Sequence, residues 1–145
     1  VRDVLAPECW VIGVQSSAAP AAHRAWKSGK PATVHSRTRV AGLAVGASFA
    51  LTQSVLGRSL NDFILVDDDD IQRAVGLMST HAHTLAEGAG AASLAGLMAD
   101  PARRGPCAVV CTGGNADDGE LAAIADFADS ADSADSAVTN MALTC

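Results

Sequence analysis

Three short apolar runs, at residues 10–14, 63–66 and 108–111, show no alternation of polar and apolar side chains. A strand wet on one face alternates with a period of two, so runs without alternation predict strands covered on both faces. Helical patterns separate them. The segment 20–28 has Pro20 near its first turn and Gly29 as a stop, 48–56 ends at Gly57, and 87–98, built from small residues, is a helix or a helix-like turn. The clearest is 69–80. Acids crowd its start, where the helix dipole favours them, and Ile71, Ala74, Val75 and Met78 recur at helical spacing. A last helix is predicted over 120–128. Strands alternating with helices specify an α/β fold with a parallel sheet. Three strands alone leave unpaired edges, so the expectation is a partial, three-layer sheet flanked by helices, belonging to something larger.

The length of 145 residues suits about one domain. Apolar residues make up 49% of the chain, enough for a core, but they are mostly small and Tyr is absent. Backbones are therefore expected to pack closely. The formal charge is -6 and the basic residues are scattered, which argues against a nucleic-acid partner. Residues 40–57 carry no charge but include Ser48, Thr52, Gln53, Ser54 and glycines, whereas a membrane span needs about 20 predominantly apolar residues. A loop leading into a core helix is expected there, and no membrane association. No signal peptide is recognised at the start. Cys9, Cys107, Cys111 and Cys145 read as reduced, buried thiols of a cytosolic protein. Cys107 and Cys111, four residues apart on one strand, would stand about 13 Å apart, too far to bridge. The run FADSADSADS begins a tail, 127–145, that is acidic and has no hydrophobic face. It is predicted disordered or frayed, leaving a folded unit over 1–126.

Two glycine segments could hold chemistry. Cys111-Thr112-Gly113-Gly114-Asn115 follows the third apolar run. It would present the Thr112 hydroxyl at the carboxyl edge of the sheet, where open α/β sheets bind ligands. Gly113 and Gly114 would allow close backbone approach, and Asn115 tolerates unusual backbone angles. By spacing alone, an ordinary strand-to-helix turn is the commoner explanation. Glu87-Gly88-Ala89-Gly90-Ala91-Ala92 contains G-x-G, but Ser93 replaces the third glycine, no strand directly precedes it, and Asp100 comes too early for a dinucleotide site. Tight helix packing explains its small residues. Glu87, among so many small apolar groups, must be exposed or specifically bonded. His81 and His83 are two apart and point different ways on a helix, and Asp67 to Asp70 lack EF-hand spacing, so no metal site is expected. Helix capping explains the acids better. His23 and His35 read as surface residues.

The ordered segments VIGVQSS, AGLAVG, LNDFILVDDDDI, HTLAEGAGAASLAGL and CAVVCTGGN run from about residue 11 to 115. Together they resemble the pyridoxal-phosphate (PLP) dependent threonine and serine dehydratases of the tryptophan-synthase-β-like fold, fold type II. The resemblance implies that the chain forms the carboxy-terminal half of such an enzyme. It implies that Thr112, opening the S-G-G-N-like turn, hydrogen-bonds the pyridine nitrogen of PLP, with Gly113, Gly114 and Asn115 around the ring. Glu87 would lie near the cofactor, and Gly42 of AGLA would line its face. A hydroxyl partner leaves the ring nitrogen unprotonated and the ring a weaker electron sink, which suits elimination of water from serine or threonine.

Three positions depart from the family pattern. Ala41 stands where members often carry an acid. The glycine-rich phosphate loop, which precedes the strand at 10–14 in the family, is absent. So is the Schiff-base lysine with its Ser-x-Lys-x-Arg-Gly context: Lys27 and Lys30 flank Gly29 at a helix end and read as solvated charges. The expectation is a fragment with no catalytic residue of its own. It would act on a small amino acid only with a missing amino-terminal half or a homo-oligomer partner. A non-catalytic small-molecule-binding module, or a marginally folded truncation product, are the alternatives.

Overall fold

In this computed structural model the described residues are 8–100 and 105–128. Strand β1 (Ile12–Ser16) leads into helix α1 (Ala21–Ser28), a 3-10 turn (Ala41–Leu43), helix α2 (Ala50–Ser59), strand β2 (Asp62–Val66), helix α3 (Asp68–Ala82) and helix α4 (Gly88–Ala99). A further helix, α5, covers residues 118–128. β1 and β2 pair in parallel, from Ile12 opposite Asp62 to Ser16 opposite Val66. The ladder extends at both ends, where Asn61 N donates to Val11 O at 2.8 Å and Ser17 N to Val66 O at 2.8 Å.

The helices form for the expected local reasons. α1 stops at Gly29, whose φ of 67° is left-handed, and Gly29 N returns to Ala25 O at 2.8 Å. Gly57 does not stop α2, which runs on to Ser59. α2 has no buried residue, and Leu51 and Val55 on it are exposed. The core joins β2, α3 and α4 through Val66, Ile71, Ala74, Val75, Met78, Ala91, Ala92 and Ala95, with Val40 and Ala86. Its side chains are small, so the layers meet almost backbone to backbone. A methyl group on Gly96 of α4 would lie 2.5 Å from Val14 of β1. No helix among the described residues is long and apolar enough to cross a membrane.

The sheet has two strands among the described residues, not three. Residues 106–117 adopt no regular secondary structure, and Val110 in the expected third strand is 69% exposed. An apolar run becomes a strand only when a ladder partner accepts from its N–H groups and donates to its C=O groups, and 108–111 pairs with neither β1 nor β2. Exposure also corrects the cysteines, since Cys9, Cys107 and Cys111 are all exposed thiols. Cys145 and residues 129–145 of the acidic tail lie outside the described residues. Phe127, placed in that tail by composition, is helical and its ring packs against Gly76 of α3.

The acids at the start of α3 do more than favour its dipole. Asp67 is the N-cap but makes no side-chain cap bond; its carboxylate accepts from Ser17 Oγ instead. Asp68 accepts from Ser16 Oγ at 2.6 Å, Thr38 Oγ1 at 2.7 Å and Arg39 N at 2.7 Å. It thus ties the end of β1 and the 38–39 segment to α3. Burial pushes its carboxyl up, but these three donors and the Arg39 charge hold it below the ordinary 3.8. His23 is not a plain surface residue either. Its ring meets Phe63 edge-on at 5.6 Å, its Nδ1 is buried with no hydrogen-bond partner among the described residues, and burial lowers its pKa.

Because the folded carboxyl of Asp68 is the stronger acid, its contribution is complete above the unfolded value of 3.8 and fades as pH falls through the lower folded value. Asp68→Ala should cost about 2 kcal/mol at neutral pH. Urea unfolding across acid pH should show the wild type losing this advantage while the variant's curve is flatter.

Candidate functional site

The residues singled out in the two glycine segments meet at the amino-terminal end of α4. Glu87 is its N-cap, with extended backbone and no side-chain cap bond. Its own N–H donates to Gly113 O at 3.2 Å. Gly90 sits under the same residue, and any Cβ there would collide with the Gly113 carbonyl. Three residues on, Ser93 Oγ donates to Val110 O at 3.0 Å. The segment 110–113 therefore runs antiparallel along α4. A Cβ on Gly113 would strike the Glu87 carboxylate, and one on Gly114 would sit 3.0 Å from Leu85 O. The Thr-Gly-Gly turn thus lies on the start of α4 at a distance only glycines allow.

Gly42 reaches the same corner by another route. Val40 follows the Thr38–Arg39 stretch held by Asp68 and packs against Gly88, 3.0 Å from where its Cβ would lie. Gly42 then faces Ala89, where an added Cβ would come within 2.6 Å. Since Asp68 begins α3 just after β2, this corner lies at the carboxyl edge of the strands. Glu87 is half-buried, and Thr112 and Asn115 are exposed. The Thr112 side chain makes no hydrogen bond with the described residues, so its hydroxyl is open to a ligand.

One residue central to this corner was not among the expected ones. Glu120 lies in the first turn of α5, and its Oε1 accepts from Gly88 N at 2.7 Å. Its Oε2 accepts from Asp117 N at 3.2 Å, while Asp117 Oδ1 accepts from Glu120 N at 2.9 Å. The latter two bonds are a capping box. The sequence signal was Asp-x-x-Glu at 117–120 ahead of Leu121 and Ile124; it places the helix start earlier than 120.

The two lysines lie elsewhere. Lys27 Nζ is 3.3 Å from Asp62 Oδ1, at the first residue of β2, and 5.0 Å from the Trp26 ring centre. It is thus at the opposite, amino edge of the sheet. Lys30 lines a cleft of about 570 Å³ between α1 and α2. His81 bonds the Thr80 hydroxyl at 2.7 Å, and His83 ends α3 with a left-handed φ of 50°.

Gly90→Ala forces a methyl into the Gly113 carbonyl and should cost roughly 1–3 kcal/mol. Gly57→Ala, inside α2 with nothing near its Cβ, should stabilise by roughly 0.5–1 kcal/mol. Thermal unfolding of both variants should move in opposite directions.

A family model described as pyridoxal-phosphate dependent enzyme matches residues 2–113. The L-threonine ammonia-lyase of Geobacter sulfurreducens is 30% identical over 128 residues, covering 83% of this chain and 31% of the relative. The biosynthetic L-threonine dehydratase IlvA of Pasteurella multocida is 39% identical over 94 residues, covering 64% of this chain and 18% of the relative. The chain thus spans less than a third of the length of these curated relatives. A threonine deaminase from T.th. superposes with a TM-score of 0.74 at 27% identity, over 80% of this chain and 42% of that one. At 21% identity, processed threonine deaminase isoform 2 of Solanum lycopersicum shares the fold, with a TM-score of 0.77 over 88% of this chain and 38% of that one.

Proposed function

Since the chain belongs to the pyridoxal-phosphate dependent enzyme family, we propose that its residues 87–115 form the ring side of the cofactor site of an L-threonine or L-serine ammonia-lyase. The parent reaction would eliminate water from the amino acid and take one water back as the resulting imine is hydrolysed, so that the net products are ammonia and 2-oxobutanoate or pyruvate. The observation that carries this reading is Thr112. Its hydroxyl is exposed and unbonded among the described residues, on a turn whose backbone is pinned to α4. That donor fits the unprotonated nitrogen of a pyridine ring. When bound, PLP supplies an electron sink for bond breaking at the amino acid's α-carbon.

The chain's own residues would position that ring. Thr112 would donate its proton to the ring nitrogen without transferring it, keeping the ring neutral. Gly113 and Gly114, lacking side chains, would let the ring edge approach the backbone, and Asn115 would close the turn. Glu87 and Gly42 would border the same corner. No residue of this chain is assigned a bond-making role. Lys27 and Lys30, on other parts of the fold, would leave proton transfer at the substrate to a complementary segment. That arrangement also supports a second reading, a module that binds the ring without turnover.

The test combines the chain with an amino-terminal segment carrying the Ser-x-Lys-x-Arg-Gly motif and follows 2-oxo acid release from L-threonine and L-serine. Release by the mixture is expected, none by the chain alone, and about a tenfold loss in Thr112→Val, the effect of one hydrogen bond. A mixture that binds PLP but releases nothing supports the binding module. A chain that releases 2-oxo acid alone overturns the assignment of the lysine elsewhere.

A further inference from the structure

We propose that Glu120 is the positioning residue of this corner: one carboxylate that clamps the starts of α4 and α5 together and thereby sets where Thr112 points. The inference rests on the reading of Thr112 given above but uses separate observations. The Thr-Gly-Gly-Asn turn is short and exposed, and it leaves the fold between two helix starts. On one side Glu87 N holds Gly113 O at 3.2 Å. On the other, Asp117, two residues after Asn115, caps the start of α5. Glu120 touches both sides, taking Gly88 N at 2.7 Å and Asp117 N at 3.2 Å.

The chemistry requires a carboxylate. A single oxygen could satisfy one helix start. Two oxygens on one rigid planar group fix the distance between two, and the positive ends of both helix dipoles favour the negative charge. Glu87, the N-cap of α4, makes no side-chain cap bond, and Glu120 accepts from outside one of the free N–H groups of that helix start, that of Gly88. Remove its side chain and the link from Asp117 to Gly88 is lost, leaving the Glu87 contact and glycine packing on the α4 side and the backbone bonds to Asp117 on the α5 side as separate anchors.

The experiment is amide hydrogen exchange with NMR shifts on the full chain, without cofactor. In Glu120→Ala, the Gly88 and Asp117 amides should exchange about tenfold faster, and the signals of Thr112, Gly113 and Gly114 should shift, while Val14 and Ile64 in the sheet stay protected. Glu120→Gln keeps one accepting oxygen, which should stay with the shorter bond. Gly88 protection should then remain near wild type while Asp117 alone loses it. Shifts confined to residues 117–128 in Glu120→Ala, or Gly88 protection unchanged, overturn the proposal. If Glu120→Ala exposes the sheet amides too, Glu120→Gln decides the matter, and loss at Gly88 equal to that at Asp117 overturns the proposal there. Thr112→Val serves to separate the two ideas. It should leave Gly88 protection untouched, so failure of the cofactor assignment leaves the Glu120 result standing, and the reverse.

Discussion

The fold depends on how closely the backbone of α4 can approach what surrounds it. Gly96 lets it lie on Val14 and Ile64 of the sheet, and Gly90 lets it lie under the Gly113 carbonyl. These contacts sit on one helix six residues apart, so the sheet and the candidate site are spaced by a single rigid element. Alanines contribute less hydrophobic free energy each than larger side chains. What they permit is short interlayer distance, and with it the backbone hydrogen bond from Glu87 to Gly113.

Two carboxylates then transmit order along the carboxyl edge. Asp68 gathers the end of β1 and the Thr38–Arg39 stretch onto α3. Val40, next along that stretch, packs on Gly88, and Gly88 is in turn held by Glu120. The path runs from the strand end to the Thr112 turn through contacts between neighbours. In each case a half-buried acid does what local sequence cannot, joining segments 29 or more residues apart with charge-assisted bonds.

Sequence revealed the parts of this that are local. Helical periodicity placed α3 and α4 to within about two residues, and Gly29 stopped α1 through its left-handed φ. β1 was expected two residues early, because Trp10 and Val11 are apolar while Gln15 and Ser16 are not. Yet Trp10 is 74% exposed, and Gln15 and Ser16 are buried through bonds to His23 N and Asp68. The third strand failed for a related reason. The run at 108–111 is apolar, but pairing depends on a neighbour that periodicity does not see. The meeting of Glu87, Gly42 and the Thr112 turn was legible only through family resemblance, since these residues are up to 73 positions apart. Glu120 was legible in principle, through the Asp-x-x-Glu spacing, though not its second bond to Gly88.

The cofactor reading turns on whether Thr112 faces the nitrogen of a bound pyridine ring. The nitrogen-15 chemical shift of ring-labelled PLP in the complemented enzyme reports this contact, compared between Thr112 and Thr112→Asp. An unprotonated ring nitrogen is expected with threonine, and a shift to the protonated value with aspartate. A ring nitrogen whose shift ignores the residue at position 112 would contradict it.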